Sequence, residues 1–526
     1  MGAASSVSRR SAFDLFAKPW TIPLLTTALV VGHFAGMYDA NQSLVTDTRY
    51  YTHFAFEIAD GAVPHRDFFG NKTQFMAMFA GMQVAVANLL GLDALAVLRL
   101  VSLGLAALGA ILLFALQREL QGGDAVAAWL GFLPYLGFAY IGTLAATGPV
   151  PKLLMALAAT AAALLVARGH WFAAGLASAI APIDWQIGLF ACFGVFAAAA
   201  LDERPRRAFA RSALAVLLVA GAFVLYFALS GALEMMLAQA VGASFARGAE
   251  AGGPLFKFAG IATRLSMNAS GEFVLIAVGL IGLVVFPFWL RSPRYATQRK
   301  PIVVLVIYHY GVLAFSSIDF QGSGDTMLLL HSFAFFAGVS LVSLWFALLP
   351  RIPEVRLGHA TVAVVILSLL LVRPVVRDLP RVEAPDAPLG VTLEDQRTLA
   401  RRLHARAGDR PMLVLGPTEL LVLEDFDHET IFHFWNDATR FEYARTRGLE
   451  DEDLLAALVD EVRPDFIVAS RYLSFPPDIP YRGVDLGSPG GYAVRVFERD
   501  EAKASRLKAG PRSVLPGRHP ERDDDA

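Results

Sequence analysis

Long apolar runs recur along most of this chain and limit it to one kind of fold. They occupy eleven segments, at about 20–36, 94–116, 124–144, 148–167, 171–183, 186–201, 212–232, 272–290, 301–318, 327–349 and 357–372. An α-helix needs about 20 apolar residues to cross a bilayer, and it satisfies its backbone hydrogen bonds internally. Because 55% of the 526 residues are hydrophobic and only 17% are charged, an ordinary soluble protein is excluded. The sequence therefore predicts an α-helical polytopic membrane protein with about eleven transmembrane helices.

The short basic clusters between these runs indicate the orientation of the chain, because cytoplasmic loops carry an excess of Lys and Arg. The dense clusters all fall on one side of the membrane if the polar-interrupted segment 74–90 lies along the interface instead of crossing it. The clusters are Arg9, Arg10 and Lys18; Arg118; Arg168; Arg204, Arg206, Arg207 and Arg211; Arg291, Arg294, Arg299 and Lys300; and Arg351 and Arg356. We therefore expect a cytoplasmic N-terminus, an interfacial helix at 74–90 and an extracytoplasmic C-terminus.

The composition changes at residue 374, where charges and prolines replace the apolar runs. We expect a transmembrane domain at 1–373, whose first extracytoplasmic loop covers 38–93, followed by a small extracytoplasmic α/β domain at 374–500. Residues 412–415, 465–469 and 492–497 are typical of strands, and 454–462 is typical of an amphipathic helix. The first strand is not followed by a Gly-rich phosphate loop, which favours a structural or substrate-capping role for this domain. Residues 501–526 are predicted to form a disordered tail.

Composition also excludes several kinds of function. The net charge of −2 gives no signal for nucleic-acid binding. Cys192 is the only cysteine and lies inside an apolar run, so a disulfide framework and a cysteine-based metal site are excluded. Ionisable residues at membrane depth are costly and usually functional, so the polar segments of the extracytoplasmic face are the candidate site. These segments are 38–73, 147–152, 184–186, 233–271 and 319–325.

The first of these segments is unusually dense in charged and aromatic residues. It contains Asp-Thr-Arg-Tyr-Tyr at 47–51, Gly-Ala-Val-Pro-His-Arg-Asp-Phe-Phe at 61–69 and Asn-Lys-Thr at 71–73. These motifs resemble the first periplasmic loop of the GT-C superfamily glycosyltransferases, which include the aminoarabinose transferases and the protein O-mannosyltransferases. Those enzymes combine an acidic motif after the first span with a Gly-x-x-Pro-Tyr-x-Asp-like turn and a Lys-Pro entry to a juxtamembrane helix. A solvated loop with incidental charges is the alternative interpretation.

The resemblance implies an inverting glycosyltransferase in a bacterial inner membrane, with a periplasmic C-terminal domain. Its expected partners are a polyprenyl-phosphate-linked sugar donor, membrane lipids and a lipid, glycan or protein acceptor. By the same resemblance Asp47 is the catalytic residue, acting as general base on the acceptor hydroxyl or through a bound divalent metal ion. Lys72 would contact the donor phosphate. This agrees with the chemistry, because a phosphate leaves readily once its charge is neutralised, and deprotonation of the acceptor then remains.

The chain departs from the family pattern at several positions. Family members often carry two adjacent acids where this chain has Thr46 and Asp47, and many aminoarabinose transferases have an acid where it has Asn71. Thr73 replaces the proline after the lysine, and the bend 184–186 (Asp-Trp-Gln) stands where relatives often carry a Lys-Gln pair. The need for a metal ion and the donor contacts are therefore the points on which this chain is expected to differ.

Further polar residues of this face are candidate substrate-binding residues, each with a structural alternative. The set is Arg49, Tyr50, His65, Arg66, Asp67, Lys152, Asp184, Trp185, Arg247, Arg264, Asp319, Asp325 and His331. Tyr50 either stacks on a sugar or belongs to the interfacial aromatic belt. Residues 65–67 bind donor or acceptor, or shape the turn after Pro64. Lys152 either approaches a phosphate or extends its amine to the interface, and Trp185 beside Asp184 either lines a sugar pocket or packs.

The later candidates carry the same two interpretations. Arg247 and Arg264, in the long loop 233–271, form a phosphate clamp or the solvated face of a helix. Asp319, Asp325 and His331 flank the entry to a late apolar run. His331 lies inside that run, where a histidine is costly unless it is paired, so it either contacts substrate or is a packed core histidine.

Two other classes of function remain open from the sequence. A secondary transporter or a flippase for lipid-linked glycans also buries charges among many spans, but it predicts internal repeats and paired broken helices, and the sequence shows neither. A catalytically inactive GT-C relative that serves as an assembly partner is the third possibility, because the acidic pair is incomplete.

Overall fold

The structure, a computed structural model, describes most of the chain. The described residues are 21–242, 259–263, 265, 272–318, 320, 323–348, 390–424, 426, 428, 430–433, 437–449, 454–471, 473, 475, 479–503 and 505. The predicted apolar segment at 357–372 and nearly all of the predicted tail at 501–526 lie outside them.

Helices form along ten of the eleven predicted apolar segments and at 74–90. The longer helices described between residues 21 and 348 are α1 (Thr21–Ala35), α2 (Thr46–Ala59), α3 (Phe75–Leu90), α4 (Ala94–Leu120), α5 (Ala125–Gly137), α6 (Ala139–Thr147), α7 (Pro151–Ala167), α8 (Trp171–Asp184), α9 (Leu189–Ala200), α10 (Pro205–Leu229), α11 (Phe273–Trp289), α12 (Arg299–Ser316) and α13 (Ser323–Leu348). Asp93 and Asp124 begin α4 and α5, since their carboxylates accept from backbone N–H groups of the first turn.

Three of the described helices are long and apolar enough to cross a membrane: Ala94–Leu120, Pro205–Leu229 and Asp325–Leu348. Two bent pairs raise this number to five if each pair forms one span. They are α5 with α6, bent by 54°, and α11 with residues 293–316, bent by 84°. The other predicted spans correspond to shorter apolar helices, so eleven crossings stay a prediction.

The sequence did not predict α2, because its residues are mostly polar or aromatic. The Thr48 hydroxyl starts the helix by donating to the Val45 carbonyl at 2.6 Å. Tyr51 and Phe54 pack in one apolar cluster with Met76 of α3. The first loop is therefore a packed pair of helices, and α2 is held by its buried face.

A buried arginine fixes the connection between α1 and α2. Arg99 of α4 is only 2% exposed and donates to the backbone carbonyls of Asp39, Ala40 and Gln42. A buried guanidinium is costly unless its donors are paired, and these carbonyls accept from both of its terminal nitrogens, Nη1 and Nη2. The segment that leads into α2 is thereby tied to α4.

Residues 390–503 contain a four-stranded sheet with helices around it. The strands are β1 (Met412–Leu415), β2 (Phe466–Ser470), β3 (Tyr481–Val484) and β4 (Val494–Arg499), and the helices are α14 (Leu393–Ala407), α15 (Glu419–Glu424), α16 (Asp437–Arg447) and α17 (Leu454–Val462). The strand order is β1-β2-β4-β3, with β1 parallel to β2 and β4 antiparallel to both neighbours. Three strands and α17 lie where the sequence predicts them. The prediction missed β3, whose Arg482 and Gly483 are exposed.

This sheet region packs directly on the segments that flank α2. Gln396 of α14 donates to the Leu44 carbonyl and accepts from the Leu44 amide, both at 2.8 Å. The Phe69 N–H donates to the Ile431 carbonyl at 2.8 Å, and the Phe69 ring shares an apolar cluster with Leu413 of β1. The sheet therefore helps to fix α2. The boundaries of the predicted domain and its side of the membrane stay predictions.

Candidate functional site

Three helices begin at one point of the molecule, and each brings a charged side chain there. Asp47, Lys152 and Asp325 lie in the first turns of α2, α7 and α13. The Lys152 ammonium contacts the Asp47 carboxylate, and its Nζ lies 3.7 Å from Asp325 Oδ1. A helix N-terminus favours an acid and disfavours a lysine. The two acids therefore stabilise Lys152 in a position where its own helix does not.

Lys72, between α2 and α3, completes this group. Its Nζ lies 3.9 Å from Asp47 Oδ2. The Trp185 ring covers both amines, since Lys72 Nζ and Lys152 Nζ lie 4.5 Å and 4.9 Å from its centroid. An indole face attracts a cation, so Trp185 stabilises the two ammonium groups. We call Asp47, Lys72, Lys152 and Asp325 the charged cluster.

The members of the charged cluster differ in their access to a ligand. The Lys152 and Asp325 side chains are 1% and 6% exposed, whereas those of Lys72 and Asp47 are 14% and 28% exposed. Lys152 is thus buried between two acids. Its amine does not extend to the membrane interface, so that structural alternative for Lys152 is wrong. The accessible part of the cluster is a carboxylate next to one ammonium group.

The same contacts determine the charge states. Burial opposes ionisation of Asp47, but the ammonium groups of Lys152 and Lys72 outweigh it and hold the pKa of Asp47 well below its ordinary value. Burial, followed by repulsion from Lys152, lowers the pKa of Lys72 to about 8. At neutral pH the cluster therefore presents an ionised carboxylate beside a lysine that is charged but close to its titration point.

The bend at 184–186 supports the cluster from one side. Asp184 Oδ1 accepts from the Met76 amide at 3.0 Å, while its buried Oδ2 has no hydrogen-bond partner within the described part of the chain. Gln186 donates to the Asn71 carbonyl at 3.3 Å and to the Ala240 carbonyl. The bend therefore fixes the start of α3 and the segment that carries Lys72.

Arg49 and Tyr50 turn towards the sheet region. Arg49 Nη2 donates to the Tyr50 hydroxyl at 3.0 Å, and Arg49 Nη1 lies 3.8 Å from Glu419 Oε1. Glu419 is 1% exposed and also accepts from the Tyr492 hydroxyl at 2.6 Å. These contacts link the Asp47 helix to α15, and a role of Arg49 and Tyr50 in substrate binding stays a prediction.

The structure does not bring His65, Arg66 and Asp67 into a described contact with the charged cluster. His65 is buried, and its Nδ1 lies 3.0 Å from Gln239 Oε1, while Gln239 donates back to the His65 carbonyl at 3.0 Å. Arg66 and Asp67 form an ion pair at 2.7 Å, and Asp67 accepts from the Val63 amide. Within the described residues these side chains hold the shape of the turn.

His331 lies two turns after Asp325 on α13, and it is paired. Its Nε2 lies 3.1 Å from the Tyr135 hydroxyl, and its Nδ1 lies 2.8 Å from the Met327 carbonyl oxygen. These are the contacts of a packed, hydrogen-bonded histidine. The candidates Arg247, Arg264 and Asp319 lie outside the described residues.

The sequence analysis missed the polar contacts between α2 and the sheet region. Glu419 was not singled out, because an acid in a first helical turn is ordinary. His53 of α2 was also missed, and its Nε2 lies 2.9 Å from His433 Nδ1, beside the ring of His428. Each contact joins residues more than 350 positions apart, so no local sequence pattern connects the two partners. The only signal in the sequence is a polar or charged residue among apolar neighbours, which indicates that it needs a partner.

A metal ion is the one cofactor that the sequence left open. Among the described residues, His, Cys, Asp and Glu side chains form no group of three or more that could hold a metal ion. Two carboxylates, Asp47 and Asp325, come near a common point, but the Lys152 ammonium lies between them.

Comparisons with known proteins identify the fold. No protein-family profile and no curated protein sequence matches the chain. ArnT from Cupriavidus metallidurans, solved with undecaprenyl phosphate, is similar over 93% of this chain and 98% of its own, at 16% identity and a TM-score of 0.54. The oligosaccharyltransferase AglB from Archaeoglobus fulgidus, solved with an inhibitory peptide and a dolichol-phosphate, is similar over 87% of this chain and 70% of its own, at 12% identity and a TM-score of 0.53.

The chain has the GT-C fold. A third structure, the Archaeoglobus fulgidus oligosaccharyltransferase in complex with Zn and sulfate, is similar over 85% of this chain and 67% of its own, at 11% identity and a TM-score of 0.52. The GT-C fold and the apolar helices together make this a multi-pass membrane protein, and they confirm the resemblance that the first loop predicts. At these identities the likeness concerns the fold alone.

Proposed function

We propose that this chain is an integral-membrane glycosyltransferase that moves a sugar from a polyprenyl-phosphate donor to a lipid, glycan or protein acceptor at the periplasmic face. The observation that carries the proposal is the accessible Asp47 carboxylate, 3.9 Å from the Lys72 ammonium, at the point where three helices begin. Two solved proteins with this fold hold a polyprenyl phosphate, undecaprenyl phosphate in one and dolichol-phosphate in the other.

Lys72 is the donor-binding residue in this proposal. A phosphate oxygen beside its ammonium forms a charge-assisted hydrogen bond, which stabilises the negative charge that develops as the phosphate leaves. The first turns of α2, α7 and α13 add partial positive charge at the same point. The Trp185 face is occupied by the two amines, so Trp185 supports the phosphate-binding lysine instead of stacking on the sugar.

Asp47 is the general base. The acceptor hydroxyl gives its proton to the Asp47 carboxylate, its oxygen forms a bond to the anomeric carbon, and the bond to the phosphate oxygen breaks with its electron pair on the leaving polyprenyl phosphate. A carboxylate held by two ammonium groups is a weak base. When the donor phosphate pairs with Lys72, the hold on Asp47 weakens and its pKa rises towards a value suited to proton transfer.

One solved oligosaccharyltransferase with this fold is in complex with zinc, which raises the question of a metal ion in this chain. The residues of this chain do not fit one. The donors nearest each other are the carboxylates of Asp47 and Asp325, and both already face the Lys152 ammonium. No step of the proposed reaction therefore passes through a metal ion.

The rival transporter function places its substrate site at paired broken helices. The two bent pairs of apolar helices break at Phe138, between α5 and α6, and at 290–292, after α11. The members of the charged cluster lie at neither break, which favours the transferase.

The substitution Asp47→Asn tests the proposal. It keeps the shape of the side chain and removes the base, so transfer is expected to fall by about 100-fold or more. The measurement is mass-spectrometric profiling of surface glycans in a strain that depends on this chain, with the membrane level of the protein measured in parallel. Asp60→Asn is the matched control, because Asp60 is exposed at the other end of α2. Unchanged glycans in the Asp47→Asn strain at normal protein levels would reject the transferase.

A further inference from the structure

The Lys152 ammonium occupies the place in the cluster where a bridging cation would lie. It contacts Asp47 on α2, and its Nζ lies 3.7 Å from Asp325 Oδ1 on α13. Its side chain is 1% exposed, so solvent contributes almost nothing to its stability. The two carboxylates, with the Trp185 face 4.9 Å away, are what stabilise this charge.

The position of Lys152 is costly for a lysine in two respects. It is buried, and it lies in the first turn of α7, where the helix dipole repels a cation. Pro151 fixes the first helical position before it, so the side chain starts from a rigid point. A buried charge at an unfavourable helix end is stable only if it is paired with opposite charges. Lys152 is paired with two acids from two other helices.

The charges of the cluster balance without any additional ion. Asp47 and Asp325 contribute two negative charges, and Lys72 and Lys152 contribute two positive charges. A divalent cation placed between the two carboxylates would meet the Lys152 ammonium within contact distance.

We propose that Lys152 is the resident cation of this site and takes the place of a divalent metal ion. It joins Asp47 to Asp325, orients the Asp47 carboxylate towards the acceptor and leaves Lys72 to bind the donor phosphate. The consequence for catalysis rests on the proposed function, since it states that sugar transfer needs no metal ion. The consequence for metal binding does not, because it concerns only the charges of the cluster.

The test uses Mn²⁺ alone as the probe and the full chain in detergent or nanodiscs. Binding is measured by electron paramagnetic resonance, which reads free Mn²⁺ directly. The wild-type protein is expected to bind no Mn²⁺ at the cluster. Lys152→Ala removes the ammonium and leaves two carboxylates facing a small space, so its affinity for Mn²⁺ is expected to rise at least tenfold above that of the wild type. Lys152→Arg keeps a cation there and is expected to behave as the wild type.

Two results would overturn the proposal. One is a wild-type protein that binds one equivalent of Mn²⁺ and loses it on Asp47→Asn. The other is a folded Lys152→Ala protein whose Mn²⁺ affinity equals that of the wild type, with folding checked by size-exclusion chromatography. The wild-type measurement needs no variant to fold and no sugar to be transferred. Unchanged glycans in the Asp47→Asn strain would therefore reject the transferase without affecting the Mn²⁺ measurement. The proposed function and the proposed role of Lys152 can thus be rejected independently.

Discussion

Lys72 combines two properties that oppose each other in a lysine: it is largely buried, and in the proposed function it must be charged to bind the donor phosphate. Burial and the repulsion from Lys152 lower its pKa to about 8, compared with about 10.4 in an unfolded chain. Between these two values the unfolded chain binds more protons than the folded one. The free energy of unfolding therefore rises with pH through this window, whereas the charge available for a phosphate falls.

In the proposed function, the affinity for a polyprenyl phosphate such as undecaprenyl phosphate is accordingly expected to weaken as pH rises through about 8, by up to about tenfold per pH unit. The measurement is the Kd of the purified protein for undecaprenyl phosphate between pH 7.5 and 9.5, a range in which the phosphate is almost entirely the dianion. Lys72→Arg keeps its charge throughout and should give a flat profile. An equally steep profile in Lys72→Arg would show that another group titrates.

The residues of the site could be predicted in part. Asp47 and Lys72 lie in one recognisable motif, and the structure brings them within 3.9 Å. Lys152 and Asp325 were candidates only individually, because no local pattern shows that residues 173 positions apart meet at two helix ends. Glu419 left no signal, since its burial against Arg49 depends on how the sheet region packs on α2.

At the scale of elements, the start of α7 decides where Lys152 lies. Gly148 ends α6 with a φ of +142°, a conformation that side chains rarely adopt. A Cβ at this position would lie 3.4 Å from the Thr52 hydroxyl and 3.6 Å from the Thr48 Cβ on α2. These are ordinary van der Waals distances, so it is the backbone conformation of the corner between α6 and α7, and not the space beside α2, that requires glycine.

Gly148→Ala is expected to lower the free energy of unfolding by about 1–3 kcal/mol, because the backbone conformation is strained for alanine. The shift of α7 should also displace Lys152 and reduce transfer by about tenfold or more. Thermal unfolding in detergent and the glycan assay measure the two effects. Gly104→Ala is the control, since Gly104 lies within α4 with open space around it and alanine is the better helix former. Equal behaviour of the two variants would contradict the role of the corner.

The elements themselves were predictable to different degrees. Apolar runs predict helices reliably, because a long apolar segment leaves no other way to satisfy its backbone in a membrane. The polar helix α2 could not be predicted in this way, since its packing partners Met76 and Phe68 are supplied by the following turn and by α3. Strand β3 could not be predicted because it has only four residues, and two of them, Arg482 and Gly483, are exposed, so the strand lacks an apolar pattern.

At the scale of the whole molecule, the sheet region and the helical region meet through buried histidines. His53 of α2 lies 2.9 Å from His433, and the rings of His433 and His428 are 4.4 Å apart. Burial lowers the pKa of His53 to about 3 and that of His428 to about 4, and it holds the pKa of His433 well below its ordinary value. All three are therefore neutral in the folded protein at pH 7.

This contact is expected to make the protein acid-labile. Below about pH 6.5 these histidines take up protons in the unfolded chain but not in the folded one, so the free energy of unfolding falls as pH falls towards 4. The limiting slope for three histidines is about 4 kcal/mol per pH unit.

The measurement is the thermal unfolding midpoint of the full chain at several pH values from 7 to 4.5. His433→Phe removes one titrating group and the repulsion it exerts on His53, so its midpoint should depend less steeply on pH than that of the wild type. His404→Asn, at an exposed position of α14, should leave the slope unchanged. A His433→Phe protein with the wild-type slope would place the acid sensitivity elsewhere, whereas a shallower slope would show that the histidines of this contact contribute to it.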